Sequence, residues 1–201
     1  PSMAVISEGC TRDVGVSFVG GVKFGSGVHA RRARLLAQVS RHLDVTFQLQ
    51  LPDVEEYLRM FAREVRYRRN LRAPWQAISQ WPAFRRLARV NQGMVCGLEM
   101  YRALARSQIA LNVHIDAAGA SAANLRLFEA TGMGACLVTD WKENLAQFFE
   151  LDREIVAFRS ADECCEKVQY LLDHPQEREQ IAARRSARTL RDHRLDCELA
   201  V

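Results

Sequence analysis

Short apolar runs closed by glycine or polar residues alternate along this chain with stretches whose apolar positions recur every three or four residues. That alternation predicts strands and helices in turn. Val16-Ser17-Phe18-Val19-Gly20-Gly21 reads as the first strand, a helical stripe of Ala33, Leu36, Ala37 and Ser40 covers 29–42, and Asp44–Gln50 alternates as a second strand. A helical, arginine-rich stretch follows over about 53–90, and Leu98–Ser107 places Leu98, Tyr101, Leu104 and Ala105 on one helical face. That helix feeds a strand at Ile109–His114, a small-residue loop at 116–123, and a helix at Asn124–Met133 that Gly134 ends. Ala135–Thr139 is apolar throughout, the pattern of a strand buried on both faces.

A short helix near Asn144–Phe149 and a strand at Glu154–Arg159 complete the sheet region. Ser160 and Glu163 form a capping box for the next helix, and Pro175 opens a last one running to about His193. The pattern predicts an α/β fold: a Rossmann-like parallel sheet with helices on both faces and a helical, basic insertion. The expected organisation is a tail over 1–13, one domain over 14–193 with the insertion at 53–96, and a tail over 194–201.

Composition changes this picture little. A hydrophobic fraction of 48% and a charged fraction of 26% over 201 residues are those of an ordinary globular domain, and no apolar run reaches a membrane span. Cys10, Cys96, Cys136, Cys164, Cys165 and Cys197 show neither C-x-x-C nor metal-like spacing, so all six are expected as reduced thiols in a cytoplasmic protein. The net charge of +4 is unevenly placed: nine arginines lie between 57 and 90 against one acid, Glu64. There Leu58, Phe61, Ala62 and Val65 form an apolar stripe flanked by Arg59, Arg63 and Arg66, with Trp75, Trp81 and Phe84 following. Such a stretch suits peripheral contact with an anionic membrane, here the inner face. Nucleic acid is a weaker candidate. The default is a solvated face or a surface docked to a further domain.

The chemistry concentrates between Ile109 and Asp140. In open parallel sheets ligands sit outside the carboxyl ends of the strands. The loop after His114 lies at such an end and consists of Gly, Ala and Ser, which let backbone N–H groups approach a phosphate at the following helix start. Asn124 and Arg126 add donors there, and Glu129, one turn on, suits a ribose diol. A tight loop beside a solvated helix face explains the same residues equally well. Gly25–Ala30 matches G-x-G-x-x-G/A, but Asp44 begins the second strand instead of ending it, which argues against NAD. His29, His42, His174 and His193 lack motif partners, and the last helix, with Glu177, Arg178, Glu179, Arg184, Arg185 and Arg188, reads as a solvated face.

The segment from Asn124 to Asp140 (NLRLFEATGMGACLVTD) resembles the donor-site helix and following strand of GT-B glycosyltransferases of the family-1 superfamily, and most of all a bacterial spore-maturation-protein-like group. Gly97–Tyr101, Leu111–His114, Glu154–Val156 and Arg191–His193 resemble that group in the same order, and Val16–Gly21 more loosely resembles its first C-domain strand and glycine turn. The resemblance implies one half of a GT-B fold that binds a nucleoside diphosphate sugar, without a metal, for hexosyl transfer to an acceptor held by a missing N-terminal domain. The fragment alone is then expected to be inactive.

The resemblance also places the ribose contact on Glu129, with Gly20, Gly21, Asn124, Arg126 and the backbone around Ser121 along the nucleotide. Ser121 stands where relatives often carry a sugar-binding Glu, and Gly21 where an Arg often meets the diphosphate. Lys23, Arg31 or Arg32 then has to supply that charge, and His114 and Asp116 stand where they can touch the sugar or serve only as loop caps. The alternatives are a non-catalytic nucleotide-binding or assembly module, and a nucleotide-sugar epimerase on the same fold.

Overall fold

The computed structural model describes residues 6, 7, 9–25, 29–122 and 124–192, leaving aside the side chains of 68 and 187–192. Five strands form one sheet: β1 (Val14–Gly21), β2 (Thr46–Gln50), β3 (Ser107–Asn112), β4 (Cys136–Asp140) and β5 (Val156–Phe158). All pairs are parallel and the order is β2-β1-β3-β4-β5. The chain runs outward from β1 to β2, then crosses back to β3 on the other side of β1. The topological switch point is therefore the gap between β1 and β3, where the carboxyl ends of an open sheet leave a crevice.

The helices are α1 (Ala30–His42), α2 (Val54–Arg68), α3 (Ala73–Val90), α4 (Gly97–Ala105), α5 (Arg126–Gly132), α6 (Leu145–Phe148), α7 (Ala161–Asp173) and α8 (Pro175–Asp192). Strand residues alternate between two cores, which is why the strand sequences are apolar throughout. Val16, Phe18, Ile109, Leu111, Val138, Val156 and Phe158 pack with α1, α3 and α7. Val19, Ala110, Leu137 and Ala157 pack with α4, α5 and α6. Beyond β2, Asn91 and Gln92 run parallel to the edge: the Asn91 side chain pairs with Leu49 N and O at 2.8 and 3.1 Å, and Gln92 N donates to Phe47 O. An otherwise open strand edge is thereby covered.

Local signals explain several boundaries. The Ser160 hydroxyl accepts from Glu163 N, while the Glu163 carboxylate accepts from Arg159 N, one residue before the cap. Gly134 has φ +75° after α5, a conformation that favours glycine, and a Cβ there would push on the Arg12 guanidinium 2.5 Å away.

Two expectations are corrected. In α2 the core takes Tyr57 and Phe61, which join an aromatic cluster with Phe24, Trp81 and Phe84, and Leu58, Ala62 and Val65 remain exposed. In α8, Arg178 and Arg185 are buried instead of solvated. Arg185 is fully buried, donates to Phe148 O, stacks over Phe149 at 4.2 Å and faces Glu154 at 3.9 Å. His29 is buried as well. The described cysteines, Cys10, Cys96, Cys136, Cys164 and Cys165, are free, and Cys197 lies outside the described residues. Burial pushes the Cys136 thiol up to about 12 and Cys164 higher still, so neither is a ready nucleophile. No described helix is long and apolar enough to cross a membrane.

Candidate functional site

The carboxyl ends of β1, β3 and β4 open onto a two-lobed cleft. The lobe at the switch point, about 390 Å³, is lined by Val19, Gly20 and Gly21 of β1, by Arg32, by His114, Ile115, Ala117 and Ala118, and by Asn124 and Arg126. The second lobe, about 520 Å³, lies towards β4 and adds Arg31, Asp140, Trp141, Lys142 and Arg159. Arg32, His114 and Ile115 form the wall common to both. These volumes suit a small ligand.

Arg32 is the central cation. Its side chain runs from the first turn of α1 beneath Gly20, with the guanidinium 5.0 Å from the Phe18 ring centre. Only 7% of the residue is exposed, and its Nε has no hydrogen-bond partner among the described residues. Burial pushes its pKa down to about 10, against the pull of Asp140 and Asp116, so it remains charged at neutral pH. A Cβ at position 20 would sit 2.7 Å from Arg32 Nη2, so the glycine is what leaves room for the guanidinium. Of the three basic residues expected to compensate for Gly21, the fold buries Arg32 in the cleft, leaves Arg31 exposed at its margin, and leaves Lys23 exposed outside both lobes.

Both helix starts at the cleft are already capped. The Asp116 carboxylate accepts from Arg31 N at 2.9 Å and Arg32 N at 3.3 Å, closing the start of α1. Asp116 is therefore a cap whose side chain also lines the second lobe. Asn124 lies just before α5, not inside it, and its Oδ1 accepts from Arg126 N at 2.9 Å. Asn124 Nδ2 donates to Asn112, which donates to Thr139, so one polar chain ties β4, β3 and the start of α5 together. Of the free backbone N–H groups expected at the start of α5, that of Arg126 is already taken up by Asn124. Ser121 is exposed and its N–H goes to Ala118 O, outside either lobe.

Glu129 lies one turn along α5, half-buried. Its Oε1 accepts from Tyr101 at 3.2 Å and its Oε2 pairs with Arg126 at 2.9 Å. Burial and the adjacent carboxylate push the Tyr101 phenol up. A carboxylate has about four acceptor positions, so two remain for a diol.

His114 and Asp140 form a pair that the spacing of the sequence does not announce. The β3 ladder ends at Asn112, opposite Thr139 of β4, so the chain brings His114 beside Asp140 at the carboxyl ends. Asp140 Oδ1 accepts from His114 N at 2.8 Å and lies 2.6 Å from its Nδ1, while Lys142 pairs with Oδ2 at 3.5 Å. The buried His114 Nε2 has no partner among the described residues. Burial pushes the Asp140 carboxyl up, but the His114 contacts and Lys142 outweigh it, and its pKa falls below the usual carboxylate value. A carboxyl with a lowered folded pKa stabilises the fold above its unfolded pKa, about 4, and loses that contribution as pH falls. Asp140→Asn should therefore cost about 1–3 kcal/mol near pH 6 and lose less further stability between pH 5 and 2 than the native protein. Urea midpoints against pH check this; parallel acid limbs would contradict it.

The sequence reading also missed Trp141, Lys142 and Arg159. Arg159 stacks on Trp141 at 3.8 Å, and Lys142 donates to Gly119 O. Their one signal was position, immediately after β4 and β5. Residues 26–28 of the Gly25–Ala30 motif lie outside the described residues.

The sheet order and the switch-point cleft define a Rossmann-like α/β domain, a fold that matches those of GT-B glycosyltransferase domains. The chain belongs to the glycosyl transferase-like family, whose model matches residues 31–199. No curated protein matches its sequence. Among solved structures it is similar to the C-terminal domain of the glycosyl transferase group 1 family protein LpcC from Francisella tularensis, with 11% identity and a TM-score of 0.53, covering 92% of this chain and 89% of that one. It is also similar to Anabaena Alr3699/HepE in complex with UDP and glucose, with 12% identity, a TM-score of 0.55, and coverage of 86% and 43%. A third is Staphylococcus aureus TarM in complex with UDP and other ligands, with 9% identity, a TM-score of 0.57, and coverage of 95% and 35%. At such identities the likeness is one of fold. The chain spans less than half the length of HepE and TarM.

Proposed function

We propose that this chain is the donor half of a glycosyltransferase, holding a nucleoside diphosphate sugar in the β1/β3 crevice for hexosyl transfer to an acceptor bound by a further, N-terminal domain. The observation that carries the reading is the buried Arg32 guanidinium, uncapped at Nε, beneath Gly20 at the switch point. UDP in HepE and TarM, proteins of the same fold, supports the ligand class. The diphosphate lies against Arg32 and Arg126, and the ribose diol reaches Glu129. Membership of the spore-maturation-protein-like group belongs to the same reading.

Charge develops on the diphosphate as the sugar leaves, so fixed cations aimed there lower the barrier most. Arg32 suits this because its desolvation is already met in the folded state and its surroundings hold it in place. His114, held through Nδ1 by an ionised Asp140, presents an unpartnered Nε2 to a sugar hydroxyl. Asp140 here orients the ring and does not touch the substrate. No step is assigned to a metal.

Calorimetric titration with UDP, GDP and dTDP tests the reading, with Glu129→Ala alongside. One nucleotide should bind saturably, and the variant should bind it roughly 10–100-fold more weakly. Equal affinity in the variant would remove Glu129 from the site. A non-catalytic binding module is the second reading, favoured by Ser121, which is exposed and stands outside the cleft. Saturable nucleotide binding without sugar transfer by the full-length protein would select it.

A further inference from the structure

The hairpin of α2 and α3 carries a surface that the donor site does not use. Of the twelve large hydrophobic side chains exposed among the described residues, seven lie between Val54 and Ile78. Three crowd the turn between the helices: Tyr67 is 73% exposed, Leu71 82% and Trp75 73%. Exposed Arg66, Arg69 and Arg72 are interleaved with them. From Val65 to Leu98 the sequence contains seven arginines and no Asp or Glu.

The tip is built, not frayed. Asp53 caps α2 through Glu56 N, and α2 ends with Arg69 in the left-handed region while Asn70 N bonds Glu64 O. The Asn70 side chain bridges Glu64 and Gln76, and the Tyr57 hydroxyl donates to Ala77 O at 2.7 Å. The same packing that buries Tyr57, Phe61 and Phe84 thus turns Tyr67, Leu71 and Trp75 outward.

We propose that this tip seats the domain on an anionic lipid surface, with Leu71, Tyr67 and Trp75 entering the boundary between headgroups and acyl chains and Arg66, Arg69 and Arg72 meeting lipid phosphates. Charge complementarity selects the occupant. A tip that exposes Arg66, Arg69 and Arg72 calls for a dense anion, which also describes nucleic acid, but a phosphate backbone gives the exposed Leu71 no partner. A lipid surface takes both kinds of side chain at once, and Trp and Tyr favour that boundary.

Co-sedimentation of the 201-residue chain with vesicles of phosphatidylcholine alone, and with about a third phosphatidylglycerol, tests the proposal. Binding should require the anionic lipid, weaken with salt, and fall about fivefold for each of Arg66→Gln, Arg69→Gln and Arg72→Gln. Tryptophan emission should shift to the blue on binding, and the shift should vanish in Trp75→Phe. Leu71→Ser should weaken sedimentation without changing circular dichroism or Tm, because the side chain packs against little in the fold. Absence of binding to anionic vesicles, equal binding to neutral ones, or indifference to the tip substitutions would overturn it. So would tight binding of single-stranded RNA that ignores Leu71→Ser. None of these outcomes depends on whether a nucleotide binds in the crevice.

Discussion

Arg32→Met is expected to lower nucleoside diphosphate affinity by about two orders of magnitude while leaving the fold as stable as before, or more so. The first half follows from the loss of a desolvated charge–charge contact, for which losses of about 2–5 kcal/mol are usual. The second follows from the free protein, where the guanidinium is buried, lacks a partner at Nε, and has its pKa pushed down by burial. Replacing a poorly compensated buried cation by a hydrophobic side chain of similar length is often neutral or stabilising. Methionine also keeps contact with the Phe18 ring. Titration calorimetry and thermal melts on the same preparation check both halves. Gly20→Ala should act in the same direction but more weakly, because a new Cβ 2.7 Å from Nη2 pushes on the far end of a flexible side chain. If Arg32→Met unfolds the protein instead, the residue is a structural cation and the site reading loses its main support.

Arg185→Ala carries the largest expected effect on stability, about 3–5 kcal/mol, or on the order of 10 °C in Tm. Arg185 stacks over Phe149 and bonds Phe148 O, and it faces Glu154, whose own carboxylate accepts from Glu150 N at 2.8 Å. Truncating the arginine leaves a buried carboxylate without its cation. Arg185→Met with Glu154→Gln should recover much of the loss, since it removes both charges and keeps the volume. Denaturant midpoints of the native protein, Arg185→Met, Glu154→Gln and the double variant give the coupling directly. Additive effects would mean that the two charges do not depend on each other. Arg185 also lies over the Phe128 ring at 5.7 Å, so it ties α8 to α5, the helix that carries Arg126 and Glu129.

These two arginines also mark how far the sequence could be read. The strands were legible because both faces of the sheet are buried: Ile109 to Leu111 and Cys136 to Val138 are apolar whichever way each residue points. The end of the helix between them was legible from Gly134, which takes a φ of +75° in the fold. In α2, by contrast, Leu58, Ala62 and Val65 make as good a stripe as Tyr57 and Phe61. The choice was made by Phe24, Trp81 and Phe84, which arrive from other parts of the chain. Arg185 looked solvated for the same reason, because Glu154 and Phe149 lie some thirty residues away.

At the cleft, Gly20, Gly21, Asn124 and Arg126 line the switch-point lobe, whereas Glu129 lies one turn along α5 outside the lining of both lobes. The sequence offered Lys23, Arg31 and Arg32 as equals, and only the packing of α1 against Phe18 and Gly20 separates them. The His114–Asp140 pair needs the β3/β4 register, which no local pattern encodes. Asp116 and Asn124 have the short side chains typical of caps, and capping is what both do here.

The most direct test is a crystal structure with the nucleoside diphosphate that binds best in titration. The expected result places the diphosphate in the crevice between β1 and β3, within hydrogen-bond distance of the Arg32 guanidinium, with the ribose against Glu129. Phosphates found outside that crevice, or a nucleotide whose ribose turns away from α5, would contradict the account.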